Sequence, residues 1–240
     1  MTRVLIGALV GTAALAFAQS YLPWPRADFT EARVRGVEPP EIYPKGVPEH
    51  RSELPLTVVL LDKTNWTEAR ALRELRKTAA IFAPCGIALG EVQLARGRGP
   101  EGRHDIDMGT LYPGADMPAD VVDLAARVPA DAAWPRVFLV GRLLGDTALA
   151  RSYQQGEVRD EESRRFPYMN TAWIAYRAHW DERAEREYSS LAHELAHVLC
   201  RCGHTGGESR HLLHQNRNFL GAAVLEEDCR KMQLSPLLKR

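Results

Sequence analysis

Apolar positions along this chain switch between strand-like and helix-like spacing, and the switches mark its elements. Residues 56–61, Leu-Thr-Val-Val-Leu-Leu, are nearly continuous in apolar character and predict a strand buried on both faces. Ala69, Leu72, Leu75, Ala79 and Phe82 then recur at helical spacing, with Asn65 and Glu68 as a capping box and Pro84 as the stop. Ile87, Leu89, Val92 and Leu94 predict a second strand over 86–94, bulged at Gly90. The Gly- and Asp-rich stretch 97–115 reads as loop, 119–127 as a short helix, 136–140 as a third strand and 171–176 as a fourth. A helix with Leu191, Leu195, Val198 and Leu199 on its apolar side follows, and 226–233 forms a last helix. The succession predicts an α/β (α+β) fold, a twisted sheet packed by helices, with a small irregular C-terminal part.

Ahead of the first strand the composition changes. Arg3, the apolar run 4–16 and Ala16-Phe17-Ala18 have the make-up of a secretory signal, so residues 1–18 are expected to be removed and the mature chain to begin at Gln19. Residues 19–54 carry Pro23, Pro25, Pro39, Pro40, Pro44 and Pro48 with little periodicity and read as an extended arm, on or off the domain. The domain proper is expected over 55–240. No later apolar run approaches the roughly 20 residues of a membrane span, so an exported, secreted or periplasmic protein without stable membrane insertion is the expectation. With 31 basic and 31 acidic residues among 240, nothing points to a nucleic-acid or anionic-membrane partner. A monomer is expected, and the mixed charge run 181–187 reads as a solvated helix start.

The candidate chemistry lies in His193-Glu194-Leu195-Ala196-His197, followed at a distance by His204. Residues four apart share a helix face, so His193 and His197 can hold one metal ion between them. Zinc bound by three imidazoles keeps a fourth position open for water and lowers that water's pKa to about 7. Glu194, beside the first ligand but not a ligand itself, is placed to take the proton as the water attacks a carbonyl. Cys85, Cys200, Cys202 and Cys229 in an exported chain predict two disulfides. Cys200 and Cys202 stand too close in sequence to be natural partners, so each is expected to reach either Cys85 or Cys229.

The order strand, helix, further strands and a helix bearing H-E-x-x-H with a downstream His resembles the metzincin clan of zinc metallopeptidases, over roughly 55–235. The resemblance implies one catalytic Zn²⁺ on His193, His197 and His204, Glu194 as general base, and cleavage of a peptide or protein substrate lying extended along strand 171–176. Two positions depart from the clan's pattern. Cys200 stands where it has glycine, and His204 falls one residue late, with Gly203 able to supply the turn. In His211-Leu212-Leu213-His214, Leu213 takes the place of the methionine beneath the metal. The run before Cys229 looks like the clan's terminal helix, and the resemblance further implies pairing of Cys202 with Cys229 and of Cys85 with Cys200.

Other readings stay open. His211 or His214 could be the third ligand, and His214 could stabilise an oxyanion. Tyr176 and Tyr188 could donate to substrate. Glu226 or Glu227 would serve as third ligand in a gluzincin-type enzyme. The chain could also cut cell-wall peptides, or be a zinc-holding binding or scaffold domain without turnover. The arm could be inhibitory, with Asp28 or Glu31 on the metal.

Overall fold

The computed structural model describes residues 35–108, 118–129, 131–145, 150–153, 168–176, 188–206, 210–215 and 221–240. The signal segment, the arm up to residue 34 with Asp28 and Glu31, and the charge run 181–187 lie outside the described residues.

Among the described residues, six strands form one mixed sheet. The first, β1 (Arg35–Val37), precedes a single helical turn α1 (Pro39–Ile42), and is followed by β2 (Ser52–Leu61), helix α2 (Glu68–Phe82) and β3 (Ile87–Gly97). Then come β4 (Ile106–Asp107), α3 (Ala119–Arg127), β5 (Arg136–Val140), β6 (Leu143–Leu144), β7 (Ala150–Tyr153) and β8 (Thr171–Ala175). Helices α4 (Ser190–Cys200) and α5 (Glu226–Gln233) complete the order. The main sheet runs β1-β3-β2-β5-β8-β7, while β4 and β6 pair separately. Within it β3, β2, β5 and β8 are parallel to their neighbours, and β1 and β7 close the two ends antiparallel.

The parallel centre explains the unbroken apolar runs. Val58, Leu60, Val137, Leu139, Ala172 and Ile174 face one core with α2 and α4. Val59, Leu61, Phe138, Val140 and Trp173 face a second core with α3. Both faces are therefore dry, and alternation is lost from the sequence. Phe138 and Trp173 stack in register on neighbouring strands, ring centroids 4.1 Å apart.

Several boundaries differ from expectation for local reasons. Residues 35–54 do not stand apart as an arm. Val37 and Ile42 are buried in the first core, β1 pairs with β3, and Arg35 bonds both Glu41 and Glu68. Glu68 is thus engaged by β1, and the cap of α2 is Thr67, whose side chain accepts from Arg70 N–H. The bulge at Gly90 is present, the ladder stepping from Leu54–Leu89 to Leu56–Val92. A Cβ on Gly90 would come within 3.0 Å of Glu53 Cβ, so glycine is what this crossing accepts. The strand 171–176, along which the substrate is expected to lie, is flanked on both sides, β8 having β5 on one side and β7 on the other. The edge is β7.

The disulfides also differ from the expected Cys202–Cys229 and Cys85–Cys200. Cys85 closes the turn after α2 and joins Cys229 of α5, with Cα atoms 5.1 Å apart. Cys200 ends α4, and Arg201 takes a left-handed conformation (φ 52°) that folds the chain back on itself. This brings Cys202 to a Cα separation of 5.2 Å from Cys200, within bonding range, and the two form a disulfide. No helix among the described residues is long and apolar enough to cross a membrane. The two disulfides suit an oxidising, non-cytosolic setting.

Candidate metal centre

Helix α4 carries the site and is held at both ends. Ser189 caps its start, accepting from Ala192 N–H at 3.2 Å and donating to the buried Glu74 carboxylate of α2 at 2.8 Å. The left-handed Arg201 ends it, its N–H bonding His197 O. Residues 191–200 are all buried, so the histidines sit on a helix with no solvated face.

His193 and His197 lie one turn apart, and the chain beyond Cys202 returns His204 to the same point. The three Nε2 atoms are mutually 3.0, 3.1 and 3.3 Å apart. His193 Nδ1–H donates to Leu212 O at 2.6 Å and His197 Nδ1–H to Cys202 O at 2.6 Å. Those bonds place the proton of His193 and His197 on Nδ1 and turn their bare Nε2 lone pairs toward Nε2 of His204. Two bare lone pairs and a third imidazole nitrogen within 3.3 Å of one another make a seat that a cation can fill. At metal–nitrogen bonds of about 2.0–2.1 Å the separations correspond to angles of about 90–110° at the ion, which brackets the tetrahedral value. The donor set therefore fits a metal ion, and His193, His197 and His204 form the one such group among the described residues.

Burial keeps the two imidazoles of α4 ready to bind. Desolvation, and then the neighbouring His197, push the His193 pKa down to about 3. Burial also lowers His197 and His204. All three are therefore neutral around pH 7. The unfolded chain takes up the His193 proton near 6.5 and the folded chain near 3, so metal-free protein loses stability as pH falls through that window. His50 behaves oppositely, raised above 6.5 by the Pro48 carbonyl and Glu53. In a histidine NMR titration of metal-free protein, His50 is expected to titrate above pH 6.5 while His193 keeps its neutral shifts at pH 5. Protonation of His193 near pH 6 would contradict this geometry.

Glu194 follows His193 on α4 and is buried. The other candidates do not join the three nitrogens. His211 and His214 are buried with ring centroids 4.8 Å apart, on the segment beside His204. Glu226 and Glu227 are exposed at the start of α5, Glu227 pairing with Lys231 at 2.7 Å. Tyr176 is bonded by Arg70 and lies beneath its guanidinium, whereas Tyr188 sits edge-on to His193 at 5.8 Å. Leu213 is a buried core residue. Its neighbour Leu212, through a backbone carbonyl, is what touches a candidate ligand. That carbonyl and the one of Cys202 were not legible in the sequence, since every residue type offers one. Comparison with protein-family models and with curated proteins finds no match for this chain.

Proposed function

We propose that this chain is a zinc-dependent peptidase acting outside the cytosol. The observation that carries the reading is the trio of neutral, oriented imidazoles on one point, with a buried carboxylate next to the first of them. A structural zinc site is closed by four protein ligands, and no fourth joins these three among the described residues. That favours a catalytic centre over a scaffold. Zinc is the ion most often matched by three histidines and an open position, and when bound it supplies a Lewis acid and a water that ionises near pH 7. His193, His197 and His204 would hold it. Glu194 accepts the proton of the attacking water on a carboxylate oxygen and passes it to the leaving amine.

The substrate takes the edge of the sheet. β7 has β8 as its one partner among the described strands, and α4 packs against both. An extended peptide laid along β7 would bond through its backbone and pass beside the metal helix.

The test is metal removal and return. Mature protein is incubated with a diverse peptide mixture, cross-linked cell-wall stem peptides included, and the products are read by mass spectrometry. Cleavage is expected with one equivalent of Zn²⁺, none after chelation, and recovery on adding Zn²⁺ back. Zinc bound tightly with no cleavage of any substrate would favour the scaffold reading instead.

A further inference from the structure

The metal centre spans a seam between two segments. One carries His204 and Thr205. The other carries Leu212, whose carbonyl orients His193. Two backbone hydrogen bonds of 2.9 Å join them, Thr205 N–H to Leu213 O and Gln215 N–H to Thr205 O. His211 lies on this seam, 2% exposed, with its Nε2 3.2 Å from Thr205 Oγ1. The Thr205 hydroxyl reaches Leu213 O at 3.5 Å as donor, which leaves its lone pair to accept from His211 Nε2–H. The His214 ring lies beside that of His211, centroids 4.8 Å apart, and the buried carboxylate of Asp228 on α5 is near enough to feel the His211 charge. His211 is tied from its backbone as well, its carbonyl accepting Gly221 N–H at 3.2 Å.

An apolar side chain could fill this space without the cost of burying a polar ring. The imidazole is instead within hydrogen-bond reach of a hydroxyl that belongs to the residue directly after a candidate ligand. We propose that His211 is a positioning residue of the metal centre, its imidazole holding Thr205 so that His204 stays in register with His193 and His197. The proposal rests on the metal-binding reading above. His211 touches neither ion nor substrate and acts through Thr205 and His204.

The experiment compares full-length mature wild type with His211→Leu, Thr205→Val, the double variant and His211→Gln, which restores a donor near the Nε2 position. Zn²⁺ affinity is measured by competition with a chromophoric chelator, and the visible spectrum of the Co²⁺-loaded protein reports ligand geometry. Each single variant is expected to bind Zn²⁺ about 10–100-fold more weakly, as loss of an outer-shell partner does. The double variant is expected to be no weaker than the worse single one, because both remove the same bond. His211→Gln is expected within about threefold of wild type, with the Co²⁺ spectrum restored. Folded single variants that bind like wild type, or losses that multiply in the double variant, would overturn the proposal. If His211→Leu fails to fold, Thr205→Val decides by the same criterion. Tight binding by wild type and all variants refutes the role of His211 alone, whereas a wild type that binds no Zn²⁺ refutes the metal-centre reading and the proposal with it.

Discussion

Glu194→Gln is expected to lower peptide hydrolysis by about 10²–10⁴-fold, the usual range for losing a general base, while zinc affinity stays within about twofold of wild type. The two halves of that expectation follow from position. Glu194 is one residue from His193, so the helix turns its side chain away from the face that His193 and His197 share. It is not among the converging ligand atoms, and removing its charge leaves the three imidazoles and their carbonyl anchors in place. Gln keeps the size and a carbonyl oxygen, so the buried site stays filled. What it cannot do is take a proton from water. The fall should therefore appear in kcat, with KM little changed, because the proton moves only as the bond is made. Steady-state kinetics on a peptide found in the cleavage screen, beside chelator competition on the same sample, check both halves. A variant that loses zinc with its activity would make Glu194 a ligand or a support of the helix. One that keeps full activity would take the base away from this residue.

What could be read from the sequence depended on whether a signal is carried by side chains at fixed spacing. Helix 119–127 and strand 136–140 were legible to the residue, since burial imprints the period of each on its apolar positions. That His193 and His197 share one helix face was legible for the same reason. His204 was also anticipated, and the structure brings it to the pair. β1 was not legible, because Arg-Gly-Val has no pattern of its own and is recruited by the free edge of β3. β7 was missed likewise. Ala-Arg-Ser-Tyr lacks an apolar run, and the more apolar character of strand 171–176 reflects burial between two partners, not a place for substrate. The disulfides were misread because pairing depends on tertiary proximity. One left-handed residue, Arg201, undid the assumption that neighbouring cysteines cannot meet.

The two disulfides, once located, are expected to fail in opposite ways. Cys85–Cys229 spans a sequence separation of 144, joining the turn after α2 to the last helix. Its removal by Cys85→Ser with Cys229→Ser frees a long loop in the unfolded chain; the loop-entropy relation gives a loss of about 5 kcal/mol, and native bridges typically deliver about 2–5 kcal/mol. At about 2–4 °C per kcal/mol for a chain of this size, Tm should fall by roughly 10 °C. Cys200–Cys202 spans a separation of only 2, so the same relation gives about 1–2 kcal/mol and a small change in Tm. Its work is local. It closes the chain around Arg201 and presents the Cys202 carbonyl to His197 Nδ1–H at 2.6 Å. Replacing both cysteines by serine frees that carbonyl, and zinc should bind about tenfold more weakly, as for other outer-shell losses. Thermal melts of the metal-free proteins and chelator competition on the zinc-loaded ones, run on both double variants, give four numbers. Stability should track the long-range bridge and metal affinity the short one. If Cys85→Ser with Cys229→Ser left Tm unchanged while weakening zinc, the bridge would be serving the metal centre through α5 and not the fold at large.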